Sequence, residues 1–249
     1  MAEGAPLLAV RGLARRFGGL RAVRGLDLDV AAGSIVALIG PNGAGKTTSF
    51  AMIAGFVRPD AGSVRFAGRD ITGHAPERIA RAGVVRTFQI TQPFAGLTVA
   101  ENIRIGAFLR TRAPHAAMAQ ARALGAELGL AAMLDRPAAA LTVAGRKRLE
   151  LARALAAGPR LLLLDEVMAG LTPTEVNETV ALVRGVRDRG VTILLTEHVM
   201  QAVMALADRI YVLAEGALIA AGAPRQIAAD PRVVEAYLGA GAAARLADG

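Results

Sequence analysis

The sequence predicts an α/β fold with a mostly parallel sheet that is covered on both faces. Apolar runs of strand length, such as LLLLDE at 161–166 and VTILL at 191–195, alternate with segments of helical periodicity. Strands that are apolar throughout are typical of parallel sheets, because both of their faces are buried. The 249 residues are 53% hydrophobic, which is enough for one large domain and excludes disorder over most of the length.

The first third of the chain predicts strands with one early helix. Residues 7–39 predict three strands separated by turns, and we expect an antiparallel β subdomain near the N-terminus. Residues 46–55 predict a helix. Two short strands are expected at 62–67 and 84–88.

The middle of the chain predicts a helical insertion. Residues 98–140 are rich in alanine and have a helical pattern broken by Pro114 and Pro137. The α/β pattern then resumes, with elements expected at 161–166 (strand), 174–188 (helix), 191–195 (strand) and 208–222 (hairpin). Residues 239–249 are expected to form a frayed, flexible tail.

Composition excludes several kinds of site. The chain has no cysteine, so disulfides and thiolate metal sites are excluded, and its three histidines are too dispersed to indicate zinc. We expect neither a membrane-spanning helix nor a secretory signal, because no apolar run is long enough for the first and the start carries Glu3.

The net charge is +8, but only Lys46 and Lys147 are lysines and the arginines are scattered. A genome rich in arginine explains this better than a face that binds nucleic acid or an anionic membrane, so no nucleic-acid partner is expected.

The strongest chemical motif is GPNGAGKT at 40–47, directly after the strand SIVALI. It fits the phosphate-binding pattern G-x-x-x-x-G-K-[ST] between a strand and a helix, and it predicts nucleotide binding. Gly43 and Gly45 allow backbone N–H groups to converge on a phosphate. Lys46 is expected to reach the β- and γ-phosphates, and Thr47 to place its hydroxyl on Mg²⁺.

Acidic residues follow the strand LLLLDE. Asp165 and Glu166 stand at its carboxyl end, the edge where ligands sit in open α/β sheets. Asp165 suits the Mg²⁺ shell, directly or through water, and Glu166 suits polarisation of an attacking water. A solvated acidic turn is the alternative, which the phosphate-binding loop makes much weaker.

Two further polar residues follow predicted strands. His198 comes just after the strand at 191–195, where it could contact the γ-phosphate and position Glu166 or water. Gln89 ends the strand at 84–88, where it could ligate Mg²⁺ or water. A structural histidine and a plain loop glutamine are the alternatives, and each is favoured when its residue is considered alone.

In this order the motifs resemble the ATP-binding subunit of ABC transporters, over about residues 7 to 238. The resemblance implies a P-loop ATPase core of one domain at 1–238, with a helical subdomain at approximately 90–157 inserted between the Q-loop and the signature. It also implies that Phe17 stacks on adenine, with a core ring as the alternative. The nucleotide-binding loop would comprise Gly40, Asn42, Gly43, Ala44, Gly45, Lys46, Thr47 and Thr48. The catalytic residues would be Glu166, His198 and Gln89, and Mg²⁺ would be held by Thr47, Gln89 and Asp165.

The segment LTVAGRKRLELARAL at 141–155 predicts an amphipathic helix that Thr142 could cap. It falls where the family carries its signature, Leu-Ser-Gly-Gly-Gln. In the family, the signature of one subunit closes over ATP held by the other, so the resemblance implies that this helix start contacts the partner's γ-phosphate. Thr142 would supply the hydroxyl, while Val143, Ala144 and Gly145 depart from the family pattern.

A second departure lies in the D-loop, family pattern Ser-Ala-Leu-Asp, where AGLT places Thr172 in the aspartate position. Both departures affect the ATP site that this chain's signature would complete, in which the partner subunit holds the nucleotide. Neither changes this chain's own phosphate-binding loop at 40–47. We therefore expect a heterodimer with a second ABC ATPase subunit that carries a standard signature, with a homodimer as the alternative.

Longer stretches, among them RTFQITQPFAGLTVAENI and VVEAYLG, resemble ATPases of branched-chain amino-acid importers. This implies two membrane permeases as partners, a periplasmic or extracellular solute-binding protein acting indirectly, and a peripheral position on the cytoplasmic face of the inner membrane. The alternatives are an exporter ATPase, such as that of lipopolysaccharide export, and a soluble non-transport ATPase of DNA repair, chromosome structure or translation. No heptad run interrupts the domain and only one phosphate-binding loop is present, which argues against the soluble classes.

Overall fold

A computed structural model describes residues 5–87 and 93–238. In the order of the chain, the strands are β1 (Leu8–Phe17), β2 (Leu20–Val30), β3 (Ile35–Ile39), β4 (Ala61–Phe66), β5 (Arg69–Asp70), β6 (Val84–Arg86), β7 (Leu161–Asp165), β8 (Thr192–Thr196), β9 (Arg209–Ala214) and β10 (Ala217–Gly222). The helices are α1 (Lys46–Ile53), α2 (Pro76–Ala82), α3 (Val99–Ala107), α4 (Pro114–Glu127), α5 (Val143–Ala156), α6 (Pro173–Asp188), α7 (Met200–Leu206), α8 (Pro224–Ala228) and α9 (Pro231–Leu238).

The main sheet has six strands in the order β10-β9-β3-β8-β7-β6. All neighbours are parallel except the β9–β10 hairpin, so the predicted mostly parallel sheet is confirmed. All five residues of β3, β7 and β8 are buried, which explains their continuous apolar sequences. The register pairs Asp165 with Thr196, so the ends of β7 and β8 lie side by side.

A second, antiparallel sheet of order β2-β1-β4-β5 covers one face of the main sheet together with α1. Its first two strands meet in a tight turn where Phe17 pairs with Leu20. Val36 and Leu38 of β3 share a buried core with Phe50 of α1 and with the inner residues of this sheet. The antiparallel β subdomain expected near the N-terminus is therefore present.

Helices cover the other face. Ile35, Ala37 and Ile39 point to that side, as the two-residue period of a strand requires, and share a core with α3 to α7. The apolar stripe of α5, including Leu149 and Ala152, is buried there, which confirms the predicted amphipathic helix.

The alanine-rich segment consists of α3, α4 and two short 3-10 turns at Ala131–Met133 and Ala138–Ala140. Both prolines act as expected, since Pro114 begins α4 and Pro137 precedes the second 3-10 turn. Across residues 5–87 and 93–238, no helix combines the length and the apolar character needed to cross a membrane.

Candidate functional site

The carboxyl ends of β3, β7 and β8 meet at one edge of the main sheet. The loop after β3 leads into α1, while Glu166 follows β7 and His198 lies just beyond β8. The loop after β3, the start of α1, Glu166 and the β1–β2 turn line a cleft of about 660 Å³. Nine predicted site residues line it, namely Phe17, Asn42, Gly43, Ala44, Gly45, Lys46, Thr47, Thr48 and Glu166.

The loop at 40–45 is held by close backbone contacts that exclude side chains. Gly45 has φ of 101°, and a Cβ there would lie 2.4 Å from the carbonyl oxygen of Ala22. Gly40 approaches β9 so closely that a Cβ would lie 2.1 Å from the carbonyl oxygen of Leu213. The loop can therefore keep this shape only with glycine at both positions.

Lys46 begins α1 and extends back across the loop. Its Nζ donates to the carbonyl oxygens of Gly40 at 2.7 Å and Pro41 at 3.0 Å, and the residue is 6% exposed. Burial lowers the pKa of Lys46 from its ordinary value, while the charges of Glu166 and Asp165 oppose that shift. An anion in the cleft would favour the charged ammonium group further.

Asp165, at the end of β7, is buried and fully engaged by neighbouring strands. Its Oδ2 accepts from Arg86 of β6 at 2.6 Å, and its Oδ1 accepts from the Thr196 hydroxyl at 2.8 Å. Its own N–H donates to the hydroxyl of Thr87 at 3.1 Å. The carboxylate is thus fixed at the edge of the sheet where the phosphate-binding loop begins.

The oxygen donors fit Mg²⁺ bound mainly through a nucleotide. Thr47 lines the cleft, and Asp165 is a buried carboxylate at the end of β7. No group of three or more His, Cys, Asp or Glu side chains able to hold a metal occurs in the described part of the chain. A hydroxyl and a carboxylate are hard oxygen ligands, of the kind that Mg²⁺ commonly combines with phosphate oxygens and water.

Glu166 occupies a left-handed turn directly after β7. Its φ is +50°, an uncommon conformation for a residue with a side chain, and it is 8% exposed. Its Oε1 lies 2.6 Å from Nε2 of His198. The structure therefore brings together the two residues whose cooperation the sequence predicted.

Glu197, between Thr196 and His198, is a buried acid that the sequence analysis missed. It is 2% exposed, and its Oε1 accepts from the N–H of Met168 at 2.9 Å. Burial raises the pKa of Glu197 to about 7, and the charge of Glu166 acts in the same direction. The N–H groups of Met168 and His198 and the charge of Lys147 oppose the shift.

This acid predicts a pH dependence of stability. A carboxyl whose pKa is raised on folding contributes stability that is present below its unfolded pKa, near 4.5, and lost as the pH rises through about 7. The loss amounts to about 3 kcal/mol at most. We expect Glu197→Gln, whose amide oxygen can still accept from Met168, to unfold at higher urea than wild type at about pH 8.

The two proteins should unfold at similar urea concentrations at about pH 5, where the wild-type carboxyl is neutral. Urea unfolding at both pH values measures the difference. If the urea midpoints of Glu197→Gln and wild type differ by the same amount at the two pH values, Glu197 does not titrate in this range.

Phe17 lies at the end of β1, and 46% of it is exposed. The alternative of a core ring is therefore wrong. The guanidinium of Arg15 lies over its ring, 4.9 Å from the centroid, and Phe17 lines the same cleft as the loop at 40–47. An exposed aromatic ring at the rim of a phosphate-binding cleft is suited to stacking on a base.

The predicted signature residues do not line this cleft. Thr142 caps α5 and accepts from the N–H of Gly145 at 3.1 Å, as predicted for a helix cap. Val143 is 55% exposed on the first turn, whereas Ala144 is buried. Thr142, Ala144 and Gly145 line a separate concavity of about 420 Å³ that also includes Arg148 and Glu175.

Thr172 caps α6 in the same manner. Its hydroxyl accepts from the N–H of Glu175, and the Glu175 carboxylate accepts from the N–H of Thr172 at 2.8 Å. The hydrogen bonds that the Glu175 carboxylate accepts from the N–H and the hydroxyl of Thr172 lower the pKa of Glu175. Because Asp and Thr are both favoured helix caps, the replacement of the family's aspartate keeps this structural function.

Gln89 lies outside the described residues, as does the tail 239–249. Besides Glu197, the structure adds Arg86, Thr196, Lys147 and Tyr237 to the surroundings of the site. Burial raises the pKa of Tyr237 of α9, and the backbone N–H of Gly40 opposes that shift. Arg86 and Thr196 could have been found by the rule that selected Asp165, because both end buried strands next to β7.

Comparison with known proteins identifies relatives along nearly the whole chain. The family model described as ABC transporter matches residues 23–169, and one described as branched-chain amino acid ATP-binding cassette transporter matches residues 217–243. The chain is 42% identical to the high-affinity branched-chain amino acid transport ATP-binding protein BraF of Pseudomonas aeruginosa, over 94% of this chain and 98% of that protein.

A more distant relative is the lipopolysaccharide export system ATP-binding protein LptB of Acidithiobacillus ferridurans, 37% identical over 94% of this chain and 97% of that protein. Among solved structures, the ADP conformation of an ATP-binding cassette of an ABC transporter superposes with a TM-score of 0.86. Its sequence is 32% identical, with 95% of this chain and 100% of that chain covered.

Proposed function

The chain belongs to the ABC transporter ATP-binding family, and from this premise we propose that it powers an importer of branched-chain amino acids or related amino acids and amides. It is an ATPase subunit with a nucleotide-binding cleft. The observation that carries the proposal is that Lys46, Glu166 and His198 come together at one edge of the sheet. The match at residues 217–243 and the identity to BraF support the branched-chain type.

Each side chain has a proposed task in hydrolysis. Lys46 and the N–H groups of the loop bind the β- and γ-phosphates, with Phe17 stacked on the base. Glu166 orients the attacking water and accepts its proton, and His198 holds the Glu166 carboxylate in place. Mg²⁺, held by Thr47, Asp165 and Gln89, would neutralise charge on the phosphate oxygens.

The proposed assembly contains two ATPase subunits and two permeases. The exposed first turn of α5, with Thr142 and Val143, would face the partner's nucleotide. A valine there places a stiff, apolar side chain where a glycine would leave the backbone accessible. We therefore favour a heterodimer in which the partner supplies a standard signature to the cleft of this chain.

The remaining proposals concern the domain organisation of the chain and its position at the membrane. Residues 1–238 would form one ATPase domain whose helical subdomain, approximately 90–157, contacts the permeases. Through them the chain would lie on the cytoplasmic face of the inner membrane, and a solute-binding protein would act only indirectly. The exporter alternative retains some support from the 37% identity to LptB, which is lower than the identity to BraF.

Purification from native membranes through a tag on this chain tests the proposal. We expect two permeases and a second ATPase to co-purify, and leucine with its binding protein to stimulate ATP hydrolysis in proteoliposomes. Stimulation by lipopolysaccharide instead would support the exporter. Recovery of DNA or ribosomes without permeases would contradict transport altogether, and two copies of this chain alone would contradict the heterodimer.

A further inference from the structure

The turn that carries Glu166 is held by three contacts, two from the end of β8 and the residue after it and one from α5. The N–H of Glu166 donates to the carbonyl oxygen of Thr196 at 2.9 Å, which ties the turn to β8. Two residues later, the N–H of Met168 donates to the buried carboxylate of Glu197 at 2.9 Å. A non-glycine residue keeps a left-handed conformation only when its surroundings fix it, and such residues are frequent at active sites.

The third contact comes from Lys147, which lies on α5, 19 residues before Glu166. Its Nζ donates to the carbonyl oxygen of Glu166 at 3.1 Å. The same carbonyl also accepts from the N–H of Ala169 at 3.3 Å. Lys147 is therefore a long-range link between α5 and the backbone of the residue that follows β7.

Lys147 also places a positive charge beside two acids. Glu166 and Glu197 bring two carboxylates to one turn, and their charges repel each other. The ammonium group of Lys147 lies close enough to favour the ionised form of Glu197. A neutral side chain at 147 would remove both the hydrogen bond and this compensation.

We propose that Lys147 is a positioning residue, which ties the signature helix α5 to the turn that aims the Glu166 side chain. The proposal rests on the proposed role of Glu166 in hydrolysis. The cap residue Thr142 begins the same helix only five positions earlier. A displacement of α5 would therefore move the Lys147 ammonium group relative to the Glu166 carbonyl and alter the position of the carboxylate within the same subunit.

Lys147 does not line the nucleotide cleft, so its removal should affect turnover and not nucleotide affinity. In the purified transporter, we expect Lys147→Met to lower kcat by about tenfold, because small displacements of a reacting group have effects of this size. The Kd for a fluorescent ATP analogue, measured on the same preparation, should stay within about twofold. Lys147→Arg should restore most of the turnover, since a guanidinium can also donate to a carbonyl.

Arg187→Met is the matched control. It removes one positive charge from the end of α6, where Arg187 pairs with Asp188 on the surface outside the helical subdomain, and it should leave kcat unchanged. The positioning role is overturned if Lys147→Met keeps wild-type turnover, if Arg187→Met loses as much, or if nucleotide affinity falls in parallel with kcat.

Hydrogen exchange separates this inference from the proposed function, because it needs no hydrolysis. In the nucleotide-free chain, the peptide that covers residues 165–170 contains the N–H groups of Glu166 and Met168, both hydrogen-bonded. We expect their exchange to be faster in Lys147→Met and unchanged in Lys147→Arg and Arg187→Met. If wild type does not hydrolyse ATP, the role of Glu166 fails. Equal exchange in wild type and Lys147→Met would overturn the link itself.

Discussion

Glu166→Gln is expected to bind ATP as tightly as wild type and to hydrolyse it at least about a hundredfold more slowly. The amide has nearly the same shape as the carboxylate and can still accept a hydrogen bond from His198, which lies 2.6 Å away. An amide is not basic, however, and cannot take a proton from water. Steady-state phosphate release and the equilibrium affinity for ATP, measured on the same preparation, test both parts of this expectation.

Glu77→Gln is a suitable control for the change from acid to amide. Glu77 is exposed on α2 and outside the cleft, so the control should keep wild-type turnover. Normal hydrolysis by Glu166→Gln would remove the glutamate from the proposed mechanism. Loss of ATP affinity in that variant would instead indicate that the carboxylate supports the ground-state complex.

Sequence patterns locate much of the candidate site because its residues follow a simple geometric rule. Parallel strands place their carboxyl ends at one edge, so polar residues after buried runs are expected to meet there. By this rule, Asp165, Glu166 and His198 are selected from two short motifs. The structure places all three at that edge, with Glu166 and His198 in direct contact.

What the sequence did not predict depends on contacts between distant segments. The partner of Asp165 is Arg86, 79 residues earlier, and the ammonium group near Glu166 comes from α5. No periodic pattern encodes such pairs, since they follow from the order of strands and from how the helical segment packs. The left-handed φ of Glu166 could not be predicted from the sequence either, because glutamate seldom adopts it.

Departures from a family pattern need the same structural test. Thr172 differs from the family's aspartate, which suggested an altered composite site. In the structure its hydroxyl caps α6, so the change at this position preserves the helix start. Val143 has no such role, because more than half of it is exposed on the first turn of α5. The difference between the two ATP sites, which favours a heterodimer, therefore depends mainly on the signature.

Lys46→Ala is expected to weaken ATP binding by roughly tenfold to a hundredfold, the effect of losing one or two hydrogen bonds to a charged group. Lys46 Nζ is already oriented along the loop by the carbonyl oxygens of Gly40 and Pro41. It therefore meets a phosphate without first ordering a flexible side chain. Titration calorimetry with MgATP measures the loss directly.

Two variants separate loss of the cation from damage to the loop. Lys46→Met keeps most of the buried alkyl chain and lacks only the ammonium group, so it should lose as much affinity as Lys46→Ala. The substitution Lys147→Met removes the only other lysine. Because Lys147 lies outside the cleft, this variant should bind ATP normally. If Lys46→Met retains wild-type affinity while folded, the phosphates do not contact Lys46. The cleft would then bind nucleotide through the N–H groups of its glycine-rich loop and the dipole of α1, without the ammonium group.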